Sequence, residues 1–196
     1  DTIDTEIEVD GRRVTLVDTA GLRRKSKVAG SVDHYAQLRS ERAIERADVA
    51  IIVCDAHEGV RSEDLTVGEV AMKAGCATMI VMNKWDITET DIDDTRARVA
   101  RKLRLRPEVV TCSALSGRNV AGLISRAIAL ADRAAERIPT PQLNRFLSED
   151  HTTTPPPSRR GRRLKLLYGA QTGVSPPHFA VQVNDRRLIV RDWAYH

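Results

Sequence analysis

The 196-residue chain predicts an α/β architecture: a mixed sheet with helices on both faces, followed by a small α+β domain. Three observations predict it. From Val49 onward, short apolar runs alternate with charged stretches of helical length, the pattern of strands in a helix-covered sheet. Ahead of them, Ile7 and Val9 alternate with Glu6 and Glu8, and Val14 and Leu16 resume the alternation beyond Asp10-Gly11, as in a hairpin. Near Arg137 the charge changes: residues 137–196 carry ten Lys/Arg and four Asp/Glu, against 21 and 23 in residues 1–136. The domains are placed at 1–137 and 138–196.

Each element has a local reason. The hairpin spans Thr5 to Asp18. Leu22 to Asp33 lacks periodicity and carries Arg23, Arg24, Lys25 and Lys27, as a loop; His34 to Ala47 fits a helix loosely. Val49 to Cys54 is a continuous apolar run, expected to be buried on both faces. Ser62, with Glu63 and Asp64, caps a helix over 63–74 that Gly75 closes. Ala77 to Met82 is a second buried strand. Asp91 to Leu105 is a charged amphipathic helix. Pro107 precedes a strand, Glu108 to Cys112, and Asn119 caps a helix from Val120 to about Arg137. Thr140-Pro141 starts another helix. Thr152 to Ser158, with three successive prolines, is a linker. Two strand-like runs follow, Leu164 to Gln171 and Phe179 to Val183. Trp193 and Tyr195 pack the small domain, with RNA stacking as the minority alternative.

Composition narrows the function. Aromatics make up 4% of the chain, so aliphatics must build the core. No signal peptide or membrane-length apolar stretch occurs, so no membrane partner is expected. The chain opens at Asp1 without Met, as a fragment or trimmed piece does. Cys54, Cys76 and Cys112 have no metal-ligand spacing; buried thiols in a reducing cytoplasm are expected. The basic C-terminal portion, with Arg159, Arg160, Arg162, Arg163 and Lys165 beside the linker, points to a polyanion such as RNA; the alternative is a solvated surface.

The chemistry concentrates at strand ends. Asn83-Lys84-Trp85-Asp86 follows a buried strand, and ligands of open α/β sheets bind outside the carboxyl edge. A carboxylate such as Asp86 accepts both N–H groups of guanine's Watson–Crick edge, a pair that adenine does not offer. Asn83 braces the loop and the Lys84 stem lies along the base. Alone, the four residues are a weak signal, and a solvated turn reads almost as well. Asp18-Thr19-Ala20-Gly21 upstream and Cys112-Ser113-Ala114-Leu115 downstream, each after an apolar run, strengthen it.

Together with Leu22-Arg23-Arg24-Lys25 and Leu167-Tyr168-Gly169 to Pro176-Pro177-His178-Phe179, these residues resemble the Der (also called EngA) family of tandem-domain GTPases. The resemblance implies a P-loop GTPase-type sheet, incomplete here, and a KH-like domain that stops before its last helix. It implies GTP and GDP as ligands with Mg²⁺, and action in large (50S) ribosomal subunit assembly on ribosomal RNA, as a cytoplasmic monomer. Asp18 would hold Mg²⁺ through a water, and the Gly21 amide would contact the γ-phosphate, with Thr19, Ala20 and Leu22 beside them. Asn83, Lys84, Trp85 and Asp86 would bind guanine, and Ser113-Ala114 its O6. Leu22 stands where Ras-like enzymes place a water-orienting Gln. A backbone group, a bound monovalent cation or the ribosome would contribute instead, so no catalytic side chain is assigned. No glycine in the chain is followed by Lys, so the phosphate loop is missing and is expected ahead of Asp1. A non-catalytic RNA- or ribosome-docking module is the alternative function. The family-type KH module here has no Gly-x-x-Gly, which argues against KH-style nucleotide clamping.

Overall fold

A computed structural model describes residues 3–18, 44, 46–103, 105–153 and 161–189. The chain divides into two units, Asp1–Arg133 and Ala134–His196.

The first unit opens with the expected hairpin, β1 (Ile3–Val9) against β2 (Arg12–Asp18), in register from Ile3↔Asp18 to Val9↔Arg12. It starts two residues earlier than the alternation indicates. Asp10 and Gly11 both adopt positive φ, 52° and 73°, the two-residue turn whose twist matches the strands. Next come β3 (Val49–Asp55), α1 (Ser62–Lys73), β4 (Ala77–Asn83), α2 (Ile92–Lys102), β5 (Glu108–Thr111) and α3 (Ala121–Ala135). Strands β3, β4 and β5 form a parallel sheet in that order, and the hairpin is a separate two-stranded sheet. The architecture is therefore mixed α/β, as expected.

The core lies on both faces of β4. Met79, Ile80, Val81 and Met82 are at most 1% exposed. Ile80 and Met82 join Ile52, Cys54, Leu65, Val99 and Leu103 on one face. Met79 and Val81 meet Cys112, with Leu123, Ala127 and Leu130 of α3, on the other. Strand β3 departs from expectation. Its apolar run reads as buried on both faces, yet Val53 is 55% exposed. The reason lies in the packing: Ile52 and Cys54 face the covered side of β3, whereas Val53 points to the other side and joins no core cluster among the described residues.

Helix ends differ in detail. The N-cap of α1 is Arg61, not Ser62, and the Asp64 carboxylate accepts the Arg61 N–H at 2.9 Å. Gly75, at φ 91°, closes α1 as expected. Asp91 caps α2 by accepting the Asp93 N–H at 2.7 Å. Asn119 does not cap α3; it sits at φ 60° and its Nδ2 donates to the Thr111 carbonyl at 3.1 Å. The expected helix over 34–47 falls almost wholly outside the described residues.

In the second unit, α4 (Thr140–Thr153) packs on the hairpin of β6 (Leu166–Gly173) and β7 (His178–Val183). Helix α4 runs to Thr153, into the start of the expected linker. Asn144 holds β6 from the side: its Oδ1 accepts the Gly169 N–H and its Nδ2 donates to the Gly169 carbonyl, both at 2.8 Å. Gly169 permits this approach, because a Cβ there would stand 2.6 Å from Leu147 Cδ1. Buried Gln171 accepts the Ile138 N–H at 2.7 Å and donates to the Glu136 and Gly173 carbonyls, so its amide is satisfied. Trp193 and Tyr195 lie outside the described residues.

Candidate nucleotide site

Parallel register decides what meets at the carboxyl edge. Asp55 of β3 aligns with Asn83 of β4, and Met82 with Thr111 of β5. The ends of the three strands therefore place Asp55, Asn83-Lys84 and Cys112-Ser113-Ala114 side by side.

Asn83 is the brace that the sequence indicates. Its Oδ1 accepts the Ala114 N–H at 2.9 Å and the Cys112 thiol at 3.6 Å. Its carbonyl accepts the Ala56 N–H at 2.8 Å. Lys84 then turns into the left-handed region, φ 63° and ψ 35°. A non-glycine residue there costs roughly 1–2 kcal/mol, and such outliers cluster at ligand sites. The turn starts a 3₁₀ segment, Trp85–Ile87, fixed by the Trp85 N–H to the Cys112 carbonyl at 3.0 Å. Asp86 is carried on it, exposed, with no hydrogen-bond or ion-pair partner among the described residues. Trp85 is half-buried, packed toward the core face with Ile92.

The Ser113-Ala114 amides are both engaged. Ser113 N–H donates to the Arg118 carbonyl at 3.0 Å, and fully buried Ser113 accepts the Ser116 N–H through Oγ at 3.2 Å. The Ala114 amide is held by Asn83, so a base oxygen reaches it by sharing with or replacing Asn83 Oδ1.

Three contributors escape the sequence reading. Lys84 Nζ donates to Asp55 Oδ2 at 2.6 Å. That bond, opposed by desolvation and aided by the His57 amide, holds the Asp55 carboxyl below its ordinary range. The same bond raises the Lys84 ammonium above its own. Thr88 and Thr90 both donate to the Ala56 carbonyl, at 3.0 and 2.9 Å, and tie the loop after Asp86 to the end of β3. Asp55 is detectable in the sequence only as a carboxylate ending the strand beside the motif.

The other expected residues lie apart. Asp18 ends β2, exposed, its carboxylate with no hydrogen-bond or ion-pair partner among the described residues. One hard oxygen donor at a strand end fits a water-mediated contact to Mg²⁺. Among the described residues no group of three or more His, Cys, Asp or Glu could hold a metal by itself. Thr19, Ala20, Gly21 and Leu22 lie outside the described residues, as do Arg159 and Arg160. Arg162, Arg163 and Lys165 are exposed in the second unit. No helix among the described residues is long and apolar enough to cross a membrane.

Comparison with known proteins now bears on this edge. Residues 1–139 match the family model of the elongation factor Tu GTP binding domain. Residues 137–194 match the KH-domain-like module of EngA bacterial GTPase enzymes, C-terminal. The chain belongs to the Der (EngA) GTPase family.

It is 42% identical over 193 residues to GTPase Der of Ruminiclostridium cellulolyticum, covering 96% of this chain and 44% of that protein. GTPase Der of Pelotomaculum thermopropionicum is 41% identical over 191 residues, with 94% and 43% covered. The chain thus spans less than half the length of these curated relatives. Among solved structures, Era in complex with MgGDPNP and nucleotides 1506–1542 of 16S ribosomal RNA superposes with TM-score 0.57 at 21% identity. That match covers 66% of this chain and 44% of Era. A GTP-binding protein of Sulfolobus solfataricus in complex with GDP gives 0.53 at 21% identity, covering 67% and 45%. Both show the shared GTPase fold.

Proposed function

We propose that this chain provides the guanine-recognition face of a GTP-binding, GTP-hydrolysing protein, with the basic small domain as its RNA-docking part. The observation that carries the reading is the exposed Asp86 carboxylate, without a partner among the described residues and held out by the left-handed Lys84 at the carboxyl edge of β4. An acceptor pair so placed suits guanine N1–H and N2–H and leaves adenine without donors to offer it.

The residues divide the work. Asp86 takes the base edge. The Lys84 stem, with its head on Asp55, offers an apolar strip beside the base. Asn83 ties the β4 turn to Ala114, so both loops move as one. Asp18 receives Mg²⁺ through a water, and the family resemblance assigns the Thr19 to Leu22 stretch to the phosphates. The metal, when bound, neutralises charge on the phosphates. With Leu22 after Gly21, water is oriented by a backbone group, a monovalent cation or the ribosome.

Large-subunit assembly, the cytoplasm and a monomeric state come from the family resemblance, and the basic residues of the small domain support RNA as the partner. A second reading rests on a specific fact. No glycine in these 196 residues precedes Lys, so this stretch of chain can serve as an RNA- or ribosome-docking module without turnover. Reading the coding frame upstream of Asp1 for a strand plus Gly-Lys-Ser/Thr separates the two.

The test of the guanine site uses the chain joined to the phosphate-loop segment of a curated relative. Asp86→Asn should lower GTP affinity and raise relative affinity for XTP, whose N2 amine is replaced by oxygen. An unchanged GTP-over-XTP preference removes Asp86 from the site.

A further inference from the structure

On the side of β5 away from β4 the first unit has an open groove of about 700 Å³ between α2 and α3. Its floor is the free edge of β5, the end strand of its sheet. Parity shows which groups face it. Cys112 directs its N–H to Met82 and its carbonyl to Trp85. Residues two apart point the same way, so Val110 and Glu108 also face β4. Val109 and Thr111 therefore turn their N–H and C=O groups into the groove. The Asn119 side chain on the Thr111 carbonyl is the expected mark of that orientation. This leaves the Val109 N–H, the Val109 carbonyl and the Thr111 N–H without a strand partner among the described residues.

The walls give the groove a character. Trp85 and Val99 line one side and Leu123 the other, and Gly122 opens the rim, since a Cβ there would meet nothing within 4 Å. Arg96, Arg106 and Arg126 line it against the single carboxylate of Glu108. Arg96 is paired with Asp93 at 2.9 Å and Arg126 with Glu108, while Arg106 has no partner among the described residues.

We infer that this groove binds an extended acidic peptide segment of a partner protein, added as a strand along β5. Main-chain donors and acceptors in strand register recognise another main chain, and side-chain pockets supply selectivity. The excess of arginine selects acidic residues, and the aromatic and aliphatic walls take the apolar residues between them. Nucleic acid is disfavoured, because the Val109 carbonyl would face phosphate oxygens. Trp85, between Lys84 and Asp86, lines the groove, so occupancy is sensed next to the guanine motif.

The test uses the whole chain with Trp193→Phe, which leaves Trp85 as the sole tryptophan. A short synthetic peptide alternating glutamate and valine should shift Trp85 emission saturably. Arg106→Glu should weaken binding about fivefold, as for an exposed charge pair. Methylating the peptide's main-chain nitrogens should weaken it about tenfold. Gly122→Leu, which fills open space and favours helix, should abolish binding while leaving the far-ultraviolet circular dichroism unchanged. No saturable shift from a folded chain overturns the proposal. So does equal binding of the N-methylated peptide, or an equal Arg106-dependent shift from a polyuridine oligonucleotide.

Discussion

Lys84 Nζ donates to Asp55 Oδ2 at 2.6 Å, and so joins the motif lysine of one strand to the terminal carboxylate of its neighbour. The two residues are 29 apart in sequence and meet because Asp55 and Asn83 are register partners in parallel strands. The pair fixes the lysine stem above the carboxyl edge before any ligand arrives, which lowers the ordering cost of binding.

Asp55→Asn should therefore weaken guanine-nucleotide affinity in a chain carrying a phosphate loop, with the fold intact by circular dichroism. The pair also sets a pH window. Asp55 binds its proton less tightly in the folded chain, so its contribution to stability is present above the ordinary carboxyl value of 3.8 and disappears as pH falls through the lower folded value. Lys84 holds its proton more tightly when folded. Its contribution is full below 10.5 and disappears as pH rises through the raised value. Between those limits, the stability difference between the native chain and Asp55→Asn should be flat with pH. A difference that varies between pH 5 and 9, measured by denaturant unfolding, contradicts this pairing.

The core makes a sharper demand. Ile80 is fully buried at the centre of β4, whereas Val53, on the neighbouring strand, is 55% exposed. Ile80→Ala should cost about 2–5 kcal/mol of unfolding free energy. Val53→Thr should fall within about 0.5 kcal/mol of zero, as surface changes do. Equal losses would mean that Val53 is covered in solution.

In the second unit, Gly169→Val should be destabilising by about 1–3 kcal/mol through overpacking. The branched side chain would press on Leu147 and Leu143 and push Asn144 off both backbone groups of Gly169. Truncating Leu147 to Ala in the same chain should recover part of the loss; no recovery would place the strain elsewhere.

The exposed Arg162, Arg163 and Lys165 lead to an ionic-strength prediction. If they contact phosphates, RNA binding weakens steeply with salt, and each lost contact reduces the slope of log affinity against log salt by about 0.7–0.9. Reversing all three should flatten the slope by about two to three. An unchanged slope with a folded domain leaves the cluster as a solvated face.

What the sequence made legible follows from where each signal resides. The turn at Asn83 to Asp86 was readable because an apolar run, a turn and a carboxylate are consecutive; the structure adds the left-handed Lys84 and its bond to Asp55. The hairpin was readable because Asp10-Gly11 accepts positive φ. Asp55 was not, because its partnership arises from strand register. Asn119 was misread because an Asn ahead of a helix carries the same local signal whether it caps the helix or turns back to a strand carbonyl. Val53 was misread because composition shows that a run is apolar, not what is packed on it.

The chain of residues 1–196 should not hydrolyse GTP by itself. Phosphoryl transfer is nearly all positioning and electrostatic stabilisation, and a Lys in a glycine-rich loop with a Ser/Thr on the metal supplies most of it. No such loop is encoded here, since no glycine precedes Lys. The base contacts proposed for Asp86 and Lys84 lack the phosphate contribution, so affinity should be millimolar or weaker, about −4 kcal/mol. The sheet topology adds to the difficulty. Asp18 is on the hairpin and Asp86 in the turn after β4 of the β3-β4-β5 sheet, and no backbone ladder joins the two sheets among the described residues. The proposed metal residue Asp18 and the proposed base residue Asp86 are thus not held in register by strand pairing among the described residues. Calorimetry with GTP and Mg²⁺, together with phosphate release, measures both quantities. Micromolar binding, or turnover proportional to protein concentration, would mean that another segment replaces the loop. Arg23-Arg24-Lys25 would be the first to substitute, because it follows Asp18-Thr19-Ala20-Gly21 after the single residue Leu22 and carries the charge that a phosphate needs.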